Sequence, residues 1–454
     1  MSWAAKEMNG ANLGDERLNR RVIRVLERLG EKPSLSIPTA CGGWAETQAA
    51  YRFFDNEKVS AEAVLAPHVE ATLVRCRNEA VVLCVDDTTE LDFTGKNDIV
   101  GLGPLSYEAQ RGMYLHLTLA VTPERLALGV LAALPWARDP ADYGNSAQHS
   151  HRPIDEKESI RWLESYRAVS ELDRANPNTQ FVYAADREGD IYEIFAEAAK
   201  RPDSADFLIR SQHDRNLASG AKLRSQVAKS EALGDVEFDL MARPGRPARR
   251  VVATLRAARV RLKCPDNKKL PDVEVTVLHA LEERPPNNAE AVEWFLLTSF
   301  LVTEFNDTAE LFQWYLCRWD IEVFFRVLKS GCEVEELQLE HTDRLEAALA
   351  VYLIVAWRVL FLVRLGRTCP DLSCEVVFTP EEWQTVYMVA KRKSPPKEPP
   401  KLNAMIRLVA SFGGFLGRKG DGEPGPKSLW IGLQRMRDFV AGAQWARSQE
   451  PTCV

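Results

Sequence analysis

The chain has 454 residues, 45% of them apolar and 27% charged, with a formal net charge of −7 and nine cysteines. That length leaves room for two or three domains with a sizeable core, and the acidic balance, taken alone, weighs against a nucleic-acid binder. No run of about 18 apolar residues and no signal peptide is present. The cysteines lack C-x-x-C spacing, and the closest pair, Cys369 and Cys374, has no histidine nearby to complete a zinc site, so reduced thiols in a cytoplasm fit best.

Residues 1–75 read as a helical module. Asp15 is placed to N-cap a helix over ERLNRRVIRVLERLG, with Gly30 as its stop. Arg17, Arg20, Arg21, Arg24 and Arg28 share one stripe, beside an apolar face of Leu18, Val22, Val25, Leu26 and Leu29. Such a face suits phosphate contacts; the bland alternative is a solvated face compensated by Glu16, Glu27 and Glu31. After Pro33, Pro38 and Gly42-Gly43 the pattern is helical again over 44–56, where Arg52 either touches DNA or pairs with Asp55.

From about residue 78 the signals change to strands. The apolar run 80–85 (AVVLCV) reads as a buried strand that stops at Asp86-Asp87-Thr88-Thr89. Two more strands follow over 114–121 and 126–134, turning near Pro123-Glu124. The segment from His149 through Asp155-Glu156-Lys157-Glu158-Ser159 leads into a helix containing Trp162 and Leu163. A second apolar run, FVYAA at 181–185, ends at Asp186-Arg187-Glu188, precedes a helix, and is followed by a strand over 207–210. Open α/β sheets place ligands just beyond such strand ends. Residues 211–300 are dominated by strand signals, with a basic turn from Arg243 to Arg250.

The stretch 306–329, NDTAELFQWYLCRWDIEVFFRVLK, reads as one helix of more than five turns, N-capped by Asn306 or Asp307. At about 100° per residue, Tyr315, Arg318, Glu322 and Lys329 fall on one stripe, interleaved with aromatics, as expected for a helix lining a polar cleft. Farther on, 341–366 reads as a buried helix, because Arg358 and Arg364 interrupt its apolar run. Helices over 379–390, 402–412 and 429–445 complete the chain, with a Lys/Pro-rich linker at 391–401 and a glycine-rich loop at 413–427. That loop lacks the GxxxxGK[ST] spacing of a phosphate cradle.

Asp87 and Asp186 at two strand ends and Glu322 on a helix make three carboxylates able to converge. Mg²⁺ takes oxygen ligands of this kind, and two such ions suit in-line phosphoryl displacement. The spacing Tyr315-x2-Arg318-x3-Glu322-x6-Lys329 resembles the signature of the insertion-sequence-four, Tn-five-like family of bacterial cut-and-paste transposases. Asp87-Thr88-Thr89 and Asp186-Arg187-Glu188 are similar to its two aspartate motifs, in the expected order. Gly14-Asp15-x-Arg17 and Ala50-Tyr51-Arg52-Phe53 are similar to its DNA-binding segment, and 413–435 to its C-terminal region.

The resemblance implies an α/β fold with a ribonuclease-H-like core over 76–368. A β-strand insert lies at about 211–300, with a helical DNA-binding domain over 1–75 and a helical dimerisation region over 369–454. It implies a DNA transposase that nicks, forms and opens a hairpin, and transfers the strand. Asp87, Asp186 and Glu322 would be its metal ligands for two Mg²⁺ ions, with Mn²⁺ as a substitute. Tyr315, Arg318 and Lys329 would hold phosphates, Trp294 would stack on a flipped base, and Arg210 would contact the backbone, while Arg17, Arg20, Arg24 and Arg52 would meet the transposon end. The implied partners are double-stranded end and target DNA and a second copy of the chain, in a bacterial cytoplasm beside the nucleoid and without a membrane. The departures are Asp86, which precedes Asp87 and leaves the choice of ligand to register, and Glu90 and Asp92, whose roles stay open. Two further classes compete: a catalytically silent end-binding or inhibitory protein, and a metal-dependent nuclease without strand transfer.

Overall fold

The structure, a computed structural model, describes residues 2–96, 99–107, 109–140, 152–201, 203–243, 245–302 and 304–448. His149 lies outside them. The N-terminal part is helical: α1 (Trp3–Glu7), α2 (Glu16–Glu31), α3 (Ile37–Ala40), α4 (Trp44–Phe54) and α5 (Ala61–Cys76). Asp15 caps α2 as expected, its side chain accepting from the Arg17 N–H. Gly30, expected as the stop, instead lies inside α2. A Cβ there would come within 2.6 Å of the Trp3 ring, so glycine serves close helix packing rather than termination.

The strands β1 (Val81–Asp92), β2 (Gly103–Pro104), β3 (Arg111–Val121) and β4 (Ala127–Trp136) follow. Then come α6 (Ile160–Ala175), β5 (Gln180–Ala185), α7 (Tyr192–Lys200), β6 (Asp206–Arg210) and α8 (Leu223–Val227). The region expected to be strand-rich supplies β7 (Gly234–Leu240), β8 (Arg249–Leu262), β9 (Val273–Leu281) and β10 (Glu293–Thr298). All join one mixed sheet in the order β3-β1-β5-β6-β10-β9-β8-β7, with β2 and β4 both on the outer edge of β3. β1, β5 and β6 run parallel, β3 is antiparallel to β1, and from β10 to β7 every pairing is antiparallel.

β1 does not stop at its acids. It runs on through Asp86 and Asp87 to Asp92, because β3 supplies a ladder partner for each of these residues. Alternation along the strand sorts its side chains. Leu83 and Val85 join the core shared with the N-terminal helices, while Val82 and Cys84 pack towards Trp162 of α6 and Phe195 of α7.

The expected single helix over 306–329 is two: α9 (Phe305–Leu316), N-capped by Glu304, and α10 (Trp319–Arg326). Between them the Cys317 and Arg318 N–H groups bond three residues back, to Trp314 and Tyr315, a tightening that steps the axis. A π-turn over Val327–Gly331 continues α10 and carries Lys329. Then α11 (Thr342–Thr368) runs through the middle of the molecule. It is long and apolar enough to cross a membrane, but 78% of its most apolar window is buried inside the protein. Its first two-thirds join the core of the sheet and α2, and Leu362 and Val363 join a smaller core with α12 (Pro380–Lys391), α13 (Leu402–Phe412) and α14 (Pro426–Ser448).

Candidate active site

β1 and β5 lie side by side and parallel, and Asp86 opposite Ala185 is their last pair. The next residue of each segment is a carboxylate, Asp87 inside β1 and Asp186 just past the end of β5, so the two acids stand together where the ladder between the strands ends. Asp86 and Asp87 point to opposite faces. Asp86 is fully buried on the α6 side, with its Oδ2 3.2 Å from His116 Nε2. Asp87 faces the helices, its Oδ2 3.4 Å from Arg318 Nη1. Of the two adjacent acids, Asp87 is therefore the one on the side of Arg318 and Glu322. Glu90 and Asp92 hold turns: Glu90 accepts from the Ser106 N–H at 3.0 Å, and Asp92 accepts from the Thr94 N–H at 2.9 Å and from Gln110 at 3.0 Å.

Burial and mutual repulsion work against ionisation of these acids. Burial first, and the Asp186 charge second, push the Asp87 carboxyl up to about 7, although Arg318 and the Thr88 N–H pull it down. Glu188 is raised as well, by burial and by Asp186. Asp186 itself accepts from the Glu188 N–H at 2.7 Å and caps the short turn that follows.

Arg318 sits in the middle of the acids. One guanidinium nitrogen faces Asp87 and the other donates to Glu322 Oε1 at 2.5 Å. Burial opposes its charge, but Tyr315, Asp87 and Glu322 hold its pKa above the ordinary arginine range. Glu322 is also gripped from outside the helix: Arg243 Nη2 donates to both of its oxygens, at 3.0 and 3.2 Å. Arg243 stands on the turn between β7 and β8, and the sequence offered only a basic turn there, with nothing to tie it to Glu322. As the side chains stand, no three His, Cys, Asp or Glu groups among the described residues are close enough together to hold a metal ion. Two arginines engage Glu322, and one of them separates it from Asp87. The two aspartates nevertheless fit a hard cation: they are oxygen donors side by side where the β1–β5 ladder ends, and Asp87 is held against ionisation by burial and by its neighbour, which a bound divalent ion would relieve.

The other candidates fall into two groups. Tyr315, Trp294 and Arg210 come together next to Arg318. Burial raises the Tyr315 hydroxyl while the Arg318 and Arg210 charges lower it. Trp294 is only 7% exposed, packed among Phe238, Phe312, Tyr315 and Trp319, with the Arg210 guanidinium 5.1 Å from its ring centroid. Lys329 instead pairs with Glu335 at 3.4 Å.

On α2, Arg17 pairs with Asp15 at 3.1 Å, Arg20 with Glu16 at 3.5 Å, and Arg24 with Glu46 of α4 at 2.9 Å. Arg17 and Arg20 still keep 86% and 73% of their side-chain surface in solvent, so these pairs are weak competitors for a phosphate. Arg52 is exposed in the last turn of α4, and Asp55 pairs with Arg344 rather than with Arg52.

Two family models match the ends of the chain: Transposase DNA-binding over residues 1–59, and Transposase Tn5 dimerisation domain over residues 354–453. Both matches lie at the termini, and the region between them, which carries Asp87, Asp186 and Glu322, is covered by neither. Among solved structures the chain is similar to the piggyBac transposase in its synaptic complex with hairpin DNA, at 8% identity and a TM-score of 0.38, over 99% of this chain and 78% of that one. A score that low carries no argument about fold or function.

Proposed function

We propose that the protein is a cut-and-paste DNA transposase of the insertion-sequence-four type, with Asp87, Asp186 and Glu322 as its active-site acids. The observation that carries this reading is the pair of carboxylates where the parallel β1–β5 ladder ends, Asp87 held against ionisation by burial and by Asp186 and facing the Arg318–Glu322 step. The order β4-β3-β1-β5-β6, with β3 alone antiparallel, supports a ribonuclease-H-like core, and the family matches at the two termini support end-binding and dimerising regions around it. We read 1–75 as the end-binding domain, 76–368 as the catalytic domain and 369–454 as the dimerisation region.

Asp87, Asp186 and Glu322 would hold two Mg²⁺ or Mn²⁺ ions, Glu322 after release by both Arg243 and Arg318. When bound, such ions supply an activated oxygen nucleophile and charge neutralisation on the leaving oxygen. The protein's own side chains would do the positioning. Arg318 and Tyr315 offer donors to the scissile phosphate, and Lys329 takes a neighbouring phosphate in place of Glu335. Arg210 covers the face of Trp294, so a backbone phosphate that drew Arg210 aside would bare that ring for a flipped base. Arg17, Arg20, Arg24 and Arg52 would lie along the transposon end. Nicking, hairpin formation, hairpin opening and strand transfer then use the same acids in turn, on DNA of a bacterial nucleoid.

The test is cleavage of a transposon-end duplex in Mg²⁺. Glu322→Gln is expected to abolish cleavage and leave end binding largely intact; unchanged cleavage refutes the role of Glu322. The second reading, a catalytically silent end-binding protein, is favoured by the grip of two arginines on Glu322. A wild-type gel shift without strand cleavage selects it.

A further inference from the structure

Directly behind Asp87, on the opposite face of β1, a group of polar side chains runs from the buried core at Asp86 and His116 to half-buried Thr88 on the wall of a surface cavity. Asp86 is 0% exposed and His116 is 1% exposed. Thr88 stands opposite His116 in the β1–β3 ladder, and its Oγ1 lies 2.8 Å from His116 Nδ1. His116 Nε2 lies 3.2 Å from Asp86 Oδ2 and 3.1 Å from Ser165 Oγ on α6. Since a carboxylate only accepts, Nε2 donates to Asp86, and in a neutral ring the Thr88 hydroxyl donates to Nδ1. The ring of Trp162 stands edge-on to His116 at 4.8 Å, and the other Asp86 oxygen has no partner.

As mere filling for a sheet face this is an expensive arrangement. Buried polar groups cost stability unless fully paired, and an apolar set of the same volume is usually no worse. Its location supplies a reason. The β1–β5 ladder ends at Asp86, so from Asp87 onward β1 has lost its neighbour on that side and is held only by β3 and by side chains. Asp87 is the first residue of this overhang. The hydrogen bonds of Asp86 and Thr88 through His116 grip the strand at the residues immediately before and after it, from behind.

We propose that Asp86, His116 and Thr88 form a positioning network that fixes the Asp87 carboxylate for cation binding, with His116 as the shared contact. This rests on the reading of Asp87 as a cation ligand. Thr88 also donates its N–H to Asp87 Oδ1 at 2.8 Å, so the network reaches the carboxylate through that residue; loss of an outer partner of a metal ligand typically costs about 10–100-fold in affinity.

The experiment measures Mn²⁺ binding to the full-length, DNA-free protein by calorimetry, beside thermal unfolding and gel-shift affinity for an end duplex at fixed salt. Thr88→Val is expected to weaken Mn²⁺ binding by about 10–100-fold. Thr88→Ser, which keeps the hydroxyl, restores it, and end-duplex affinity stays unchanged in both. His116→Gln carries the same expectation as Thr88→Val and replaces it if that variant does not fold. The proposal is overturned if folded Thr88→Val and His116→Gln bind Mn²⁺ like the wild type while Asp87→Asn loses binding. If Asp87→Asn itself binds Mn²⁺ like the wild type, the cation reading fails and the network's role fails with it.

Discussion

Replacing Asp87 with asparagine in cation-free buffer should change stability by an amount that depends on pH. The carboxyl moves from its ordinary value of 3.8 in the unfolded chain to about 7 in the fold, driven by burial and then by Asp186. Between those values the folded state holds a proton that the unfolded chain has released, so stability falls as pH rises through this window and levels off above about 7. A difference of about three units corresponds to roughly 4 kcal/mol, with the attraction to Arg318 already included in the shift. Asparagine has the same shape without the charge and escapes the penalty. With an unfolding entropy of about 2.1 cal/mol/K per residue over this chain, 1 kcal/mol corresponds to ~1 °C. The variant should therefore melt ~1–2 °C above the wild type at pH 5 and ~4 °C above it at pH 8. Thermal unfolding in EDTA at the two pH values measures this. A gain that is the same at both, or a variant less stable at pH 8, would refute the claim that Asp87 is held against ionisation. Added Mn²⁺ should raise the wild-type midpoint at pH 8 and leave the variant's where it is.

Arg243→Ala removes one of the two guanidinium groups on Glu322 and is expected to strengthen Mn²⁺ binding to the DNA-free protein by up to about fivefold, the equilibrium equivalent of the ~1 kcal/mol ceiling for an exposed pair. Titration calorimetry reads it, and weaker binding would show that Arg243 supports the site instead of blocking it. The double change Arg20→Ala with Arg24→Ala should weaken end-duplex binding and lower the slope of log K against log salt by about two, provided both arginines meet phosphates. An unchanged slope returns α2 to a solvated face held by Glu16 and Glu46.

Much of the framework was legible because it is written in local patterns. The apolar runs of β1, β5 and β6 read as buried strands, the Asp15 cap announced α2, and the interrupted apolar run of α11 pointed to a buried helix. The extension of β1 through DDTTELD was hidden, since polar residues read as a strand end unless the β3 partner is known. No Gly or Pro marks the step at Cys317–Arg318, so periodicity alone joined α9 to α10. The site divides along the same line. The strand-end acids and the Tyr-Arg-Glu spacing stood in the sequence, but the Arg243–Glu322 contact joins residues 79 positions apart and has no local signature. Gly30 misled for a similar reason, because the ring that requires it belongs to Trp3.

The burial of α11 among elements from both ends of the chain has a consequence for synthesis. Val22, Leu26 and Leu29 of α2 belong to the same core as Val351 and Val355 of α11, yet about 310 residues separate the end of one helix from the start of the other. At ~5–20 residues per second a ribosome needs roughly 15–60 s to cross that gap. Throughout that interval the apolar side of α2 waits without its permanent cover, and the arginine side has no fixed mount. α2, although near the start of the chain, thus gains its full cover only after α11 has left the ribosome, and under the proposed function any hold of its arginines on DNA waits for that moment.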